Sequence, residues 1–126
     1  MSLDGVKALT FDVFGTVVDW RSSIAREAEA LLAPEGHDLD WAAFADAWRA
    51  RYQPAMEQVR SGARPFTKLD VLHRENLEGV LQSFDVSGLS EAELDQLNRA
   101  WHRLTPWPDA VEGLTRLKRK YVLATQ

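Results

Sequence analysis

The placement of the strand-like segments constrains this chain most. Val6 to Phe11 (VKALTF) and Tyr121 to Thr125 (YVLAT) are short and mostly apolar, the pattern expected of strands buried on both faces of a parallel sheet. More than a hundred residues separate them, whereas a crossover between parallel strands needs only about a dozen. The sequence between them reads as helix nearly throughout. An α/β chain with a large inserted helical domain is therefore expected, with the insertion leaving beside the carboxyl end of the first strand. That is also the end at which open α/β sheets bind ligands.

The helices carry their own punctuation. Ser22 to Ala33 places Ile24, Ala28 and Leu31/Leu32 on one face, with Pro34 and Gly36 as stops. Asp40 is placed to cap a second helix with Trp41, Phe44, Trp48 and Tyr52 at helical spacing. Pro54 inside that pattern predicts a kink or a restart. A third helix is expected from about Thr67 to Phe84, striped by Leu69, Leu72, Leu77, Val80, Leu81 and Phe84. Ser90 and Glu93 form a capping box, and Leu89 and Leu94 stand at staple positions. The core face of that fourth helix is Leu94, Leu97, Trp101 and Leu104, closed by Pro106 and Pro108. A fifth helix then turns Val111, Leu114 and Leu117 inward. Its basic run, Arg116 and Lys118 to Lys120, suits a helix C-terminus better than a binding patch.

Composition narrows the function classes. A net charge of -4 lacks the basic face that nucleic acid requires. There is no cysteine, hence no disulfide, thiolate metal site or cysteine nucleophile. His37, His73 and His102 lack ligand-like spacing, and no histidine partners Ser22 or Ser23, so neither a metal site nor a serine triad is expected. No targeting leader is recognisable and no apolar run reaches about 18 residues, so a cytoplasmic protein that engages no membrane is the expectation. The five Trp are read chiefly as helix-packing bulk.

The chemistry sits in Leu9 to Asp19, LTFDVFGTVVD. Asp12 ends the first strand, where a carboxylate serves either as a nucleophile or as a simple turn former. Gly15 permits a sharp turn with amides near a bound anion. Thr16 either orients the carboxylate or bonds within the turn.

Asp12-Val13-Phe14-Gly15-Thr16-Val17-Val18-Asp19 resembles the first motif of the haloacid dehalogenase superfamily. The resemblance implies an aspartate nucleophile on a Rossmann-like core with an α-helical cap inserted after the first strand. Phosphatases of that superfamily carry a second aspartate two residues on, where this chain has Phe14. An alkoxide leaves only when protonated, so phosphatase chemistry needs that acid, and a halide leaves without one. The pattern is similar to the metal-independent L-2-haloacid dehalogenases, although that branch often has Tyr at this position. Trp48-Arg49 resembles their cap-helix segment, which implies that Arg49 helps bind the departing halide, with Arg51 as the fallback. His102 to Trp107 and Gly113 to Lys118 resemble the return from cap to core.

On this reading Asp12, Thr16 and Arg49 are catalytic. Val13, Phe14, Trp20 and Phe66 are substrate-binding candidates, Trp20 and Phe66 as apolar walls with plain packing as the alternative. No cofactor or metal is implied. The substrate would be a small haloacid, and a homodimer is the common assembly of the branch. The expected organisation is 1–18 as the first core strand and nucleophile loop, 19–105 as the cap, and 106–126 as the return with the second strand. The family's later Ser-Asn pair, lysine and acidic residue have no counterpart here. A truncated core with two parallel strands, itself inactive, is therefore expected. A magnesium-dependent phosphatase and a non-catalytic helical fragment remain the alternatives.

Overall fold

The computed structural model describes residues 2–126, which divide into two compact units. One comprises Met1–Trp20 and Leu104–Gln126, the other Arg21–Arg103. No helix among the described residues is long and apolar enough to cross a membrane.

In the first unit, β1 (Ala8–Phe11) pairs in parallel with β4 (Val122–Thr125), in a register that sets Leu9 beside Leu123 and Phe11 beside Thr125. Hydrogen bonds from Val122 N to Lys7 O (2.9 Å) and from Gln126 N to Phe11 O (2.8 Å) extend the ladder. Expected burial on both faces is not what the strands show. Leu9, Phe11 and Leu123 are half-buried, while Ala8, Thr10, Val122 and Ala124 are exposed. The reason is coverage: one helix, α6 (Ala110–Lys118), packs against β4, and a single helix covers a single face. Leu114 and Leu117 of that helix are half-buried, but Val111 is 66% exposed and does not turn inward as expected.

Two short strands, β2 (Val18–Asp19) and β3 (Thr105–Pro106), pair antiparallel where the chain leaves and re-enters this unit. Neither has the length or alternation that makes a strand legible in sequence. Pro106 also argues against one, being tolerated only because a sheet this small has edges.

The helical unit holds the closed core. α1 (Trp20–Leu32) starts two residues before the expected Ser22 and ends in a short 3-10 turn, Ala33–Glu35, followed by Gly36 in the left-handed region. α2 (Trp41–Ala50) is capped by Asp40, whose carboxylate accepts from Ala43 N at 2.9 Å. The chain then restarts as α3 (Tyr52–Arg60). Pro54 explains the restart, because a proline ring conflicts with the carbonyl four residues earlier, here that of Ala50. α4 (Leu69–Ser83) and α5 (Glu91–Asn98) follow, the latter with both halves of its Ser90/Glu93 capping box formed.

Ile24, Ala28 and Leu32 of α1 are fully buried, as are Phe44 and Ala45 of α2 and Leu77 and Val80 of α4. Trp48 lies at the centre, edge-on to Phe44, Trp101 and the ring of His73, and its indole N–H donates to His73 O at 3.0 Å. A buried indole needs such an acceptor, since an unpaired donor would forfeit its hydration. Packing bulk describes Trp48 and Trp101, both buried, but not Trp107, which is exposed. The core also includes His73, which the hydrophobic stripe of α4 passed over.

Candidate active-site loop

β1 delivers Asp12 at its carboxyl end, and the next six residues wrap around one carbonyl. Val13 O accepts from the backbone N–H groups of Thr16 (3.2 Å), Val17 (2.9 Å) and Val18 (3.2 Å). Gly15 N donates to Val18 O at 2.9 Å, closing the turn from the other side. Gly15 has φ +90, a backbone conformation that side-chain-bearing residues rarely adopt. The wrap brings Thr16 back over the start of the loop, where its Oγ1 donates to Asp12 Oδ2 at 2.9 Å. Asp12 and Thr16 are both exposed. One carboxylate oxygen is thus held by the hydroxyl, while Oδ1 has no hydrogen-bond partner among the described residues.

The other candidates of this unit border the same turn. Val13, Phe14 and Trp20 are half-buried, and the Trp20 indole lies against Gly15, its Nε1 3.6 Å from where a Cβ would stand. Phe11, Val13, Val17, Leu114 and Leu123 line an apolar hollow of about 220 Å³ beside the loop. Trp107 also reaches the loop: its indole Nε1 donates to Gly15 O and its backbone N–H to Val17 O, both at 3.0 Å. The sequence alone gave Trp107 packing bulk and no role at the loop. An aromatic pinned between two prolines was its only signal.

Arg49 and Phe66 belong to the helical unit. Successive helix residues point about 100° apart, so the inward Trp48 places Arg49 at the margin of the core face. Its guanidinium lies 4.2 Å from the centroid of the Tyr52 ring, a cation–π contact between positions three apart. Arg51, the fallback, is occupied elsewhere: its guanidinium packs on Gly79 of α4, where a Cβ would come within 2.5 Å of Nη1. Its carbonyl also accepts from Asn76 Nδ2 at 3.2 Å.

Phe66 is 85% exposed, so plain packing does not describe it. The loop that bears it is braced by Arg64, which donates to both carboxylate oxygens of Glu75 (2.6 and 2.8 Å) and through Nε to Thr67 Oγ1 (3.0 Å). Arg64 beside Glu75 holds that carboxyl below its usual range.

His73 is the buried ionisable group that sequence reasoning left unused. Its ring stacks on Trp101 at 4.6 Å, and neither ring nitrogen has a hydrogen-bond partner among the described residues. Burial lowers it to about 4, against the opposing pull of Asp70 and with smaller contributions from Arg49 and His102. The imidazole is therefore neutral at physiological pH. No group of three or more His, Cys, Asp or Glu suited to a metal ion occurs among the described residues.

The description of the haloacid dehalogenase-like hydrolase family matches residues 6–125. The chain belongs to this family. A solved defluorinating L-2-haloacid dehalogenase is 52% identical and superposes with a TM-score of 0.90, covering 94% of this chain and 49% of its own. A second solved L-2-haloacid dehalogenase is 45% identical with a TM-score of 0.87, covering 96% of this chain and 52% of its own. The (S)-2-haloacid dehalogenase 4A of Burkholderia cepacia is 29% identical over 97% of this chain and 50% of its own. This haloacid dehalogenase-like chain spans about half the length of the curated relatives it matches. Its α/β fold, with a parallel strand pair and a helical unit between the strands, is the one those solved structures share.

Proposed function

We propose that the protein carrying this chain hydrolyses the carbon–halogen bond of short 2-haloalkanoic acids. The observation that carries the proposal is the loop geometry. Asp12 stands at the end of β1 with one oxygen held by Thr16 and the other without a partner, and Phe14 occupies the place of a second acid. The names of the relatives point to the same substrate class.

In the first step Asp12 Oδ1 attacks C2 of the haloacid from the side opposite the halogen. A carbon–oxygen bond forms, the carbon–halogen bond breaks, and the halide leaves with the bonding pair. The product is an ester of Asp12. Water then adds to the ester carbonyl, and as the ester opens one of its protons passes to the departing alkoxide oxygen and the other to bulk solvent, which restores the Asp12 carboxylate and releases the 2-hydroxy acid. A single displacement at C2 inverts a chiral centre. Thr16 fixes the rotamer of the nucleophile, a positional role of the kind that confers large rate factors.

Arg49 supplies positive charge for the departing halide. A halide is the anion of a strong acid, so no general acid is required, and Phe14 in place of a carboxyl group agrees with this. Displacement at carbon also builds no phosphoryl charge for a metal to neutralise. Val13, Phe14 and Trp20, half-buried beside the loop, supply its apolar surroundings.

Asp12→Asn tests the assignment. Halide release from (S)-2-chloropropionate should fall by roughly four orders of magnitude or more, as when a covalent nucleophile is removed. Undiminished release, with mass spectrometry showing that the new Asn has not deamidated, would overturn the nucleophile. Magnesium-dependent hydrolysis of a phenyl phosphate without halide release would instead support phosphatase chemistry.

A further inference from the structure

Gly15 solves one problem in the nucleophile loop and creates another. Its φ of +90 is what allows the turn, but a glycine also places few limits on the peptide plane that follows it. That plane, from Gly15 C=O to Thr16 N–H, sets the position of Thr16 Cα and so the line from Thr16 Oγ1 to Asp12. Something outside the glycine must hold it.

The plane is held at both ends. Thr16 N donates to Val13 O at 3.2 Å, a bond made within the loop. The opposite end, Gly15 O, accepts from the indole Nε1 of Trp107 at 3.0 Å, a residue 92 positions further along the chain. Trp107 is itself fixed to the loop, since its backbone N–H donates to Val17 O at 3.0 Å. It directly follows Pro106 of the β2–β3 pair, and its carbonyl accepts from Ala110 N at 3.0 Å at the start of α6. The indole is thus carried on a segment restrained on both sides.

We propose that Trp107 is a positioning residue for the nucleophile: its indole N–H locks the Gly15–Thr16 peptide so that Thr16 stays on Asp12 Oδ2. The role rests on the reading of Asp12 as the nucleophile, but the lock itself is a property of the loop and can be measured without turnover. Phenylalanine would keep most of the ring and remove the donor, so Trp107→Phe separates the hydrogen bond from the packing.

Two measurements test it. In the unsubstituted chain the Trp107 indole N–H should exchange with solvent at least about tenfold more slowly than a free indole, because it is engaged with a carbonyl. In Trp107→Phe the Thr16 amide should exchange about tenfold faster, while the amides of the β1–β4 ladder keep their rates. In the full-length protein the same substitution should lower kcat about tenfold and leave KM within about twofold, since it disturbs the reacting group and not substrate uptake. An indole N–H exchanging at the free rate, or a Thr16 amide and kcat both unmoved by Trp107→Phe, would overturn the proposal. Faster Thr16 exchange in a protein that releases no halide would uphold the lock and sink the dehalogenase reading.

Discussion

In the helical unit Trp48 is 1% exposed and Phe44, Leu77 and Val80 are fully buried, whereas the sheet unit has no fully buried residue among those described. Its best covered positions, such as Phe11, Leu114 and Leu123, are only half-buried around an apolar hollow. Yet the sheet unit carries the Asp12 loop, whose backbone is bonded at several points. Seven backbone and side-chain hydrogen bonds, from Val13 O at its centre to Trp107 at its rim, fix residues 12–18. The two units are therefore organised by different forces. Burial of apolar surface holds the helices together, while a local network of directional bonds sets the geometry of the Asp12 loop. Truncations in the helical core should therefore cost more stability than truncations in the sheet unit.

Paired truncations probe that separation most directly. Trp48→Ala removes a buried ring and its N–H donor, and should destabilise the helical unit by about 3–5 kcal/mol. Leu123→Ala removes a half-exposed side chain, and should cost about 1 kcal/mol. Denaturant midpoints monitored by circular dichroism check both. Comparable losses would mean that the sheet unit depends on burial as much as the helical one.

Acid should distinguish the units next. The folded helical unit keeps His73 neutral down to about 4, whereas the unfolded chain takes up that proton near 6.5. Between those values the unfolded state binds more protons, so stability falls as pH drops from about 6.5 to about 4, by roughly 3 kcal/mol for this group. His73→Phe should flatten that part of the profile in urea titrations at pH 7 and 4.5. Equal slopes for the two proteins would show that His73 is not the group responsible. Glu75 and Glu91, lowered by Arg64 and Arg74, add stability that is lost when they protonate at still lower pH. Both pairs are exposed, so their share is small.

The smallest effect belongs to the helix cap. Ser90→Ala deletes the acceptor for Glu93 N and should cost about 1 kcal/mol in the helical unit, read as a shift in the denaturant midpoint. It should leave halide release by the full-length protein unchanged. A fall in turnover would show that the cap does more than stabilise its helix.

Elements governed by near neighbours were legible in the sequence. The Asp40 and Ser90 caps, the break before Pro54 and the α4 stripe all depend on contacts within a few residues. So did the Asp12–Thr16 bond, which spans four positions and needs only a glycine turn between them. What could not be read came from distant partners. The β2–β3 pair joins Val18 to Pro106, and nothing in either two-residue stretch announces the other. His73, marked in the sequence only by its lack of ligand-like spacing, is buried against Trp48 of α2 and Trp101.

The sequence by itself thus determined the α/β order, most helix boundaries to within a few residues, and a carboxylate at the end of the first strand with threonine beside it, although α5 stops at Asn98, short of the expected Leu104. Periodicity, capping and turn chemistry act over one or two helical turns and leave their marks in the residue order. Only the tertiary structure decided which strand faces are covered, that His73 is buried, and that Trp107 closes on Gly15 across 92 positions. Those depend on which surfaces meet, and chain order alone does not record that.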